Sequence, residues 1–234
     1  MERKQIVILI GPPGSGKGSQ ADLLAEDFGF FHLETSKIIE EKFKNAPDGD
    51  PVITQAKEAF RTGKLVDSQL VTQWVTEYIK SMPERQSIVF SGSFRATFEA
   101  EAEIPLCEEL YGKENIHVMN IEISEAESIK RNSKRRICKA NRHPIPNFPE
   151  FEGLAVCPKD GSEIETRILD NPETIKVRYA TYLEETKPVL EWFIQHGYPI
   201  IKINGEQPIR KVHVDILTAI DQLGHTKLLE KLGE

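Results

Sequence analysis

A glycine-rich stretch near the N-terminus, GPPGSGKGSQ, has the residue types and spacing of a phosphate-binding loop. Gly11, Gly16 and Lys17 satisfy the P-loop spacing, with one further glycine between the lysine and Ser19. Backbone amides in such a loop converge on phosphate oxygens, the lysine adds positive charge, and the next helix offers its positive N-terminus. The Ser19 hydroxyl is a candidate ligand for Mg²⁺. The stretch therefore predicts the binding of a nucleoside triphosphate.

Basic residues form a second group with the chemistry to bind phosphate. Seven lysines and arginines and no acid lie between Lys130 and Arg142, in a chain whose net charge is −7. The planar donors of arginine suit phosphate oxygens, so this run predicts contacts with an anion. A solvated helix face and a nucleic-acid patch are the alternatives. The acidic total charge and the absence of aromatic residues from the run argue against nucleic acid.

Four side chains of metal-binding type occur in the same part of the chain. Cys138, His143, Cys157 and Asp160 read C-x4-H-x13-C-x2-D. Sulfur, imidazole and carboxylate are all zinc ligands, and four of them complete a structural tetrahedron. A small proline-rich segment with little core of its own would gain stability from such a site. The alternative is a metal-free segment held by hydrogen bonds and apolar contacts.

The elements that would carry these residues alternate between strands and helices. Short apolar runs predict strands at 6–10, 87–92, 116–123 and 198–203. Helices are predicted at roughly 19–28, 54–61, 67–81, 97–111, 125–134, 172–196 and 208–223. Nearly continuous apolar strands with helices between them indicate an α/β fold, a parallel sheet flanked by helices on both faces. Ligands of such folds bind at the carboxyl ends of the strands, where the glycine-rich loop lies.

Two segments interrupt this alternation. The piece from 138 to 170 contains four prolines in HPIPNFPEFEGLAVCP and no long periodic pattern. It predicts a small inserted domain or lid. The second insertion, about 35 to 66, contains NAPDGDP and a turn at RTGK.

The overall composition narrows the class of protein. Of the 234 residues 39% are hydrophobic, enough for a sizeable core, and no apolar run is long enough to span a membrane. Three cysteines cannot form a disulfide framework and fit a reducing cytosol. A strand rather than a signal peptide follows the first basic residues. We therefore expect a cytoplasmic protein that binds neither membranes nor nucleic acid.

The glycine-rich loop and four later segments resemble the adenylate kinases and related nucleoside monophosphate kinases. In that family the loop lysine is followed by glycine and then by threonine or serine, as it is here. The later segments are GKLVDSQLV (63–71), SGSFRATFEAE (91–101), RNSKRRIC (131–138) and TRILDNPETIKVRYATYLEETKPVLEWF (166–193). The resemblance covers nearly the whole chain. It implies a P-loop core at 1–34, 67–130 and 171–234, an NMP-binding (acceptor-binding) insertion at 35–66 and a lid at 131–170.

The resemblance also implies an activity and a set of site residues. The activity is transfer of the γ-phosphoryl group of ATP to AMP with Mg²⁺, by a monomer whose insertions close over the substrates. The implied catalytic residues are Lys17, Arg95, Arg135, Arg167 and Arg178. The implied ATP-binding residues are Gly14, Ser15, Gly16, Lys17, Gly18, Ser19, Arg131, Arg135 and Gly205. The implied acceptor-binding residues are Thr35, Lys37, Lys64, Val66, Gly92, Arg95, Glu99, Arg167 and Arg178.

Several positions depart from the family pattern. Glu40 stands where an arginine would meet the acceptor phosphate, so its carboxylate should turn away or weaken binding. Lys37, one helical turn before it and in place of an acidic residue, is the expected substitute, with Lys44 as the alternative. Ser91 replaces an aspartate that supports the water shell of Mg²⁺. Its presence predicts weaker magnesium organisation unless another carboxylate reaches in.

Glu99 stands where adenylate kinases have a glutamine that reads adenine. A carboxylate only accepts hydrogen bonds, so it suits the two adjacent N–H donors of guanine and takes at most one bond from cytosine or adenine. The alternative is that Glu99 faces water. AMP is the acceptor that the resemblance implies, and GMP or CMP is the alternative. A nucleotide-binding module without efficient transfer is the alternative from a different class.

Some members of the family hold zinc in the lid through two pairs of ligands. The second pair is C-x2-C or C-x2-D, which Cys157 and Asp160 match. Asn141 stands where the commonest pattern has a second cysteine, and the spacing to His143 is irregular. A structural Zn²⁺ is thus weighed against a metal-free lid.

Overall fold

The computed structural model describes residues 4–82, 86–133, 135–141, 143–145, 151–166, 172–224 and 228–232. The described strands are β1 (Ile6–Ile10), β2 (Phe31–Glu34), β3 (Ile88–Ser91), β4 (Ile116–Glu122), β5 (Arg136–Cys138), β6 (Pro144–Ile145), β7 (Ile164–Thr166) and β8 (Ile200–Asn204). Five of them form a parallel sheet in the order β2-β3-β1-β4-β8. The other three form a small antiparallel sheet in the order β6-β5-β7.

Helices connect the strands of the parallel sheet. The described α-helices are α1 (Lys17–Phe28), α2 (Thr35–Asn45), α3 (Pro51–Thr62), α4 (Ser68–Ser81), α5 (Thr97–Tyr111), α6 (Glu125–Ser133), α7 (Pro172–Thr181), α8 (Lys187–Gln195), α9 (Ile209–Gly224) and α10 (Leu228–Leu232). A 3₁₀ turn, Lys113–Asn115, precedes β4, and a π turn, Tyr182–Thr186, joins α7 to α8. No helix among these residues is both long and apolar enough to cross a membrane.

The strand β1 is buried along its whole length, with helices covering both faces of the sheet. Ile6, Ile8 and Ile10 belong to a core cluster that includes residues of α4, α5 and α8. Val7 and Leu9 belong to a second cluster, with residues of α1 and α9. Successive residues of a strand face opposite sides of the sheet, which explains why the apolar run in the sequence is continuous. The predicted α/β fold with a parallel sheet is confirmed.

The structure contains two elements beside the glycine-rich loop that the sequence analysis did not predict, β2 and α2. In β2 the side chains of His32 and Glu34 are only partly buried, so the strand has no continuous apolar run. The helix α2 begins directly after β2, at Thr35, and no side chain caps its first turn. Both usual signals, an apolar run and an N-cap residue, are therefore missing from the sequence here.

The single helix predicted at 172–196 consists of α7, the π turn and α8. In the turn, the backbone N–H of Lys187 donates to the carbonyl of Tyr182, five residues back. Pro188 has no N–H, and in a regular α-helix its ring would clash with the carbonyl of Glu184. A local i→i+5 pattern accommodates the proline without ending the helical path.

The two insertions contain short elements of their own. The helices α2 and α3 lie within 35–66, and the small antiparallel sheet lies within 131–170. The Asp50 side chain caps α3 by accepting the backbone N–H groups of Val52 and Ile53, at 2.9 and 3.1 Å. Gly63 ends the same helix. The boundaries of the three domains stay a prediction.

Candidate active site

A cleft at the carboxyl ends of β1, β2 and β3 contains the glycine-rich loop. It contains every predicted ATP-binding residue, namely Gly14, Ser15, Gly16, Lys17, Gly18, Ser19, Arg131, Arg135 and Gly205. It also contains the predicted acceptor-binding residues Thr35, Lys37, Lys64, Val66, Gly92, Arg95, Glu99 and Arg178. Arg167 lies outside the described residues. The structure thus brings the predicted residues to one place, while their individual roles stay predictions.

The glycine-rich loop curls around the side chain of Lys17. The Nζ atom donates hydrogen bonds to the carbonyl oxygens of Gly11 and Pro12, at 2.7 and 2.9 Å. Gly16 precedes α1 with a φ of 98°, which is strained for any residue with a β-carbon. At Gly11 a β-carbon would lie 2.4 Å from the carbonyl oxygen of Ile121. The loop therefore requires glycine at both positions.

Positive charge accumulates around Lys17. Burial of its side chain, and then the charges of Arg95, Arg178 and Arg135, lower the pKa of Lys17 to about 7. Each of these cations raises the free energy of the others, and a bound polyanion would relieve that repulsion. The cleft is therefore arranged to bind phosphate groups rather than a neutral ligand.

Arg131 ties three segments of the molecule together at the loop. Its Nε atom donates to Glu127, one turn earlier in α6, at 2.7 Å. Its two Nη atoms donate to the carbonyl oxygens of Gly14, at 3.4 Å, and Gly205, at 3.0 Å. One guanidinium group thus joins α6, the glycine-rich loop and the loop after β8.

Arg95 and Arg178 reach the cleft from two further segments. The carbonyl of Arg95, just after β3, accepts a hydrogen bond from Thr186 Oγ1 at 2.9 Å, which connects it to the π turn. A β-carbon at Gly63 would lie 2.9 Å from Cγ of Arg178, so α7 touches the end of the NMP-binding insertion. Cations from four separate parts of the chain therefore line one cavity.

The start of α2 carries the unusual residues of the acceptor side. Lys37 lines the cleft, and its Nζ atom lies 3.2 Å from Glu34 Oε2. Burial works against the charge of Glu34, but a hydrogen bond from Ser36 and the charge of Lys37 bring its pKa below the ordinary value. Glu40 is absent from the described residues that line the cleft. The phosphate-binding role of Lys37 stays a prediction.

Glu99 lies inside the cleft rather than in water. Its side chain is 2% exposed, and its Oε2 accepts the backbone N–H of Arg95 at 2.9 Å. Burial raises the pKa of Glu99, and the hydrogen bond and charge of Arg95 offset only part of that rise. The alternative in which Glu99 faces solvent is therefore wrong.

A second buried acid lies one helical turn further along α5. Glu103 is 0% exposed, and neither of its carboxylate oxygens has a hydrogen-bond partner among the described residues. Burial, and then the charge of Glu99, raise its pKa well above the ordinary value. The fold therefore favours the neutral form of Glu103 more than water favours that of an ordinary carboxyl group. The sequence reading did not single it out, because acids at helix positions are usually solvated.

Asp22, His32 and Ser91 form a hydrogen-bonded chain that the sequence reading missed. Nδ1 of His32 lies 2.9 Å from Asp22 Oδ1, and Nε2 lies 2.5 Å from Ser91 Oγ. All three residues line the cleft. They come from α1, β2 and the end of β3, so no spacing in the sequence connects them.

The four predicted zinc ligands converge in the lid. Nδ1 of His143 lies 3.5 Å from the sulfur atoms of both Cys138 and Cys157 and 3.1 Å from Asp160 Oδ2. All four ligand atoms lie within 4.8 Å of one another. Zinc bond lengths and tetrahedral angles require ligand separations of about 3.3 to 3.8 Å, which these distances approach. The donor set therefore fits a structural Zn²⁺.

Hydrogen bonds around this cluster orient its ligands. The backbone N–H groups of Asn141 and His143 donate to the sulfur of Cys138, at 3.4 and 3.2 Å. The side-chain amide of Asn141 donates to Asp160 Oδ2 at 2.8 Å. Asn141 thus supports two ligands instead of being one.

Comparison with known proteins identifies the family. The family model for adenylate kinase matches residues 9–198. The adenylate kinase of Bacillus subtilis (strain 168) is 32% identical over 213 residues, which is 90% of this chain and 95% of the relative. That of Clostridioides difficile (strain 630) is 34% identical over 217 residues, 92% of this chain and 97% of the relative. That of Methanocella arvoryzae is 32% identical over 219 residues, 92% and 98% respectively. The chain therefore belongs to the adenylate kinase family.

Proposed function

We propose that the protein transfers the γ-phosphoryl group of ATP to AMP, producing two molecules of ADP, with Mg²⁺ bound to the ATP. The observation that carries the proposal is the convergence of Lys17, Arg95, Arg135 and Arg178 on one cleft at the end of the parallel sheet. Phosphoryl transfer requires positioning and charge neutralisation rather than covalent chemistry from the protein. The relatives named adenylate kinase support the same reaction.

The donor ATP would lie along the glycine-rich loop. Loop amides from Gly14 to Ser19 bind the phosphate oxygens, and the Lys17 ammonium moves from the loop carbonyls to the phosphates. Arg131 and Arg135 neutralise further charge from the lid side. Ser19 is the residue that would contact Mg²⁺, which neutralises phosphate charge when bound. The backbone of Gly205 would pass beside the donor base, and a β-carbon there would lie 2.8 Å from the side chains of Ile121 and Ile123.

The acceptor would lie between the NMP-binding insertion and α5. Arg95 binds its phosphate, and Lys37 adds charge at the start of α2. The remaining acceptor-binding residues are Thr35, Lys64, Val66, Gly92 and Glu99. Arg178 lies between donor and acceptor, together with Arg167, whose role rests on the resemblance alone. The attacking oxygen belongs to the acceptor phosphate, so no side chain needs to form a covalent intermediate.

The protonation of Glu99 favours AMP as the acceptor. Adenine offers an amino donor next to a ring-nitrogen acceptor, which a carboxamide matches. A protonated carboxyl group matches it as well, because one oxygen accepts while the O–H donates. Burial raises the pKa of Glu99, which favours that neutral form. An ionised Glu99 would instead favour GMP, through the two adjacent N–H donors of guanine. GMP or CMP is the alternative for the acceptor.

Both insertions would close over the bound nucleotides and exclude water. Exclusion of water prevents hydrolysis of the donor, and opening of the lid then limits product release. We further propose that Cys138, His143, Cys157 and Asp160 hold one structural Zn²⁺ in the lid. The small core of the lid, with few buried apolar residues, would depend on that ion for its stability.

The protein would act on small nucleotides as a cytoplasmic monomer. The net charge of −7 disfavours binding to nucleic acid or to anionic membranes. The reaction would need residues of one chain only, since one cleft contains the residues proposed for the donor and for the acceptor.

Replacement of Lys17 by alanine tests the proposed function. With ATP, Mg²⁺ and AMP, the unaltered protein should form ADP, and Lys17→Ala should lower turnover by on the order of a thousandfold. Lys80→Ala, which alters an exposed lysine of α4, is the matched control and should leave turnover unchanged. ADP formation by Lys17→Ala at the unaltered rate would refute the proposal.

A further inference from the structure

The hydrogen-bonded chain Asp22–His32–Ser91 lies in the wall of the cleft, and the mechanism above does not use it. His32 is nearly buried, with its side chain 10% exposed, and Asp22 is 25% exposed. Ser91 is 5% exposed and ends β3. The parallel register pairs Ser91 with Leu9 of β1, two residues before the glycine-rich loop begins. The chain therefore ends beside the site for the donor phosphates.

The hydrogen bonds indicate which atom carries each hydrogen. Asp22 as a carboxylate only accepts, so Nδ1 of His32 carries the hydrogen between them. With that hydrogen on Nδ1, Nε2 is the acceptor nitrogen of the ring, and the Ser91 hydroxyl donates to it at 2.5 Å. The oxygen of Ser91 is then left with its lone pairs as an acceptor.

The partner of Asp22 differs from the partners of the other acids in the cleft. Among the described residues, three carboxylates line the cavity: Asp22, Glu34 and Glu99. Glu34 is matched by Lys37, and Glu99 is buried against Arg95. Asp22 instead has the imidazole of His32 as its partner, at 2.9 Å. The carboxylate of Asp22 is thus connected through that imidazole to Ser91, next to the donor site.

We propose that Asp22 and His32 are positioning residues that make Ser91 a hydrogen-bond acceptor for the water shell of the nucleotide-bound Mg²⁺. Mg²⁺ dehydrates reluctantly and keeps several waters, and each of those waters is a strong donor that needs an acceptor. Ser91 supplies the acceptor, and Asp22 supplies the compensating charge through the imidazole. The other carboxylate that the sequence analysis asked for, since Ser91 replaces an aspartate, is thus supplied from α1. The inference rests on the proposed use of Mg–ATP by the same cleft.

The test measures metal affinity rather than turnover. Mn²⁺ replaces Mg²⁺, and electron paramagnetic resonance counts the free ion in the presence of protein, a non-hydrolysable ATP analogue and AMP. Asp22→Asn keeps the shape of the side chain and removes its charge. It should weaken Mn²⁺ binding to the complex on the order of tenfold, because one unit charge near the ion is lost. Affinity for the analogue without metal should stay within about twofold, since no phosphate contact changes.

Asp27→Asn is the matched control. Asp27 also lies on α1 and also faces a histidine, His213 at 3.4 Å, together with Arg210 at 3.3 Å, but it does not line the cleft. It should leave Mn²⁺ affinity unchanged. Equal weakening of analogue binding with and without metal in Asp22→Asn would show a merely structural role and overturn the inference.

A second variant keeps the inference testable if Asp22→Asn folds poorly. Ser91→Asp places a carboxylate directly at the end of β3, so adding it to His32→Gln should restore the Mn²⁺ affinity that His32→Gln alone loses. Failure of that rescue in a folded protein would overturn the inference. The result of this metal-binding test does not depend on which nucleotide is the acceptor. A protein that binds Mn²⁺ through this chain but does not phosphorylate AMP would support the inference and refute the proposed function.

Discussion

Among individual side chains, Glu99 decides how the acceptor base is read. Its burial and its hydrogen bond from the Arg95 backbone fix the carboxyl group in the cleft. Only its protonation state is then free to vary. A neutral acid resembles a carboxamide in its donors and acceptors, whereas a carboxylate does not. The same residue therefore predicts a specificity that depends on pH.

We predict that use of AMP falls as pH rises. Since burial raises the pKa of Glu99, the neutral form is present below that raised pKa and is lost above it. The ratio of kcat/KM for AMP to that for GMP should fall at least tenfold across the transition. In Glu99→Gln the ratio should stay constant, because an amide does not titrate. Glu101→Gln, an exposed neighbour on α5, should behave like the unaltered protein. A ratio that is independent of pH in the unaltered protein would refute this role.

The pKa of Glu103, like that of Glu99, is raised by burial, and this leads to a prediction about stability. The carboxyl group has an ordinary pKa of 4.5 in the unfolded chain and a much higher one in the fold. The folded state therefore binds more protons above pH 4.5, and the free energy of unfolding must fall as pH rises towards the folded pKa. The loss should begin above pH 4.5 and continue up to the raised pKa of the folded state.

Glu103→Gln removes that titration. Urea unfolding at several pH values should show a smaller loss of stability between pH 5 and pH 8 than in the unaltered protein. Glu109→Gln changes an exposed acid of the same helix and should leave the pH dependence as it was. Identical pH profiles for Glu103→Gln and the unaltered protein would mean that Glu103 is not the group responsible.

Among the strands and helices, those with uniform patterns were predictable and those with polar residues in the cleft were not. The apolar run of Ile6–Ile10 identifies β1, because both faces of that strand are covered. The strand β2 was missed because His32 and Glu34 serve the cleft instead of the core. The glycine-rich loop was found because its function requires local spacing. The Asp22–His32–Ser91 chain was not, because only the sheet order brings its members together.

The lid yields a prediction about metal content. If zinc closes the cluster, metal analysis of the purified protein should find about one equivalent of Zn²⁺, which Cys157→Ala should remove. The same change should lower the unfolding temperature of the lid, since the small core there includes Cys157 itself. Cys107→Ala is the matched control, because Cys107 is buried in the main core and should leave the zinc content unchanged. A metal-free protein whose unfolding is unaffected by Cys157→Ala would refute the zinc site.

Across the protein as a whole, the cleft differs from the rest of the chain in the sign of its charge, and this difference underlies the proposed function. The chain carries a net charge of −7, yet the cleft contains Lys17 and arginines from several segments. Burial of Lys17, and then repulsion from these arginines, lower the pKa of Lys17 to about 7. Two bound nucleotides would supply the missing negative charge, so closure of the insertions and neutralisation of the cleft should occur together.

Acceptor specificity is the property that follows most directly from this arrangement, and we would measure it first. The unaltered protein is incubated near pH 7 with Mg–ATP and with AMP, GMP, CMP or UMP in turn, and kcat/KM for diphosphate formation is determined for each. We predict that AMP is preferred over GMP at least tenfold, because burial favours the protonated form of Glu99, which offers adenine the donor and acceptor of a carboxamide. A preference for GMP would indicate an ionised Glu99, and a preference for either GMP or CMP would overturn the assignment of AMP. No transfer to any of the four, with ATP still bound, would make the protein a nucleotide sensor instead of a kinase.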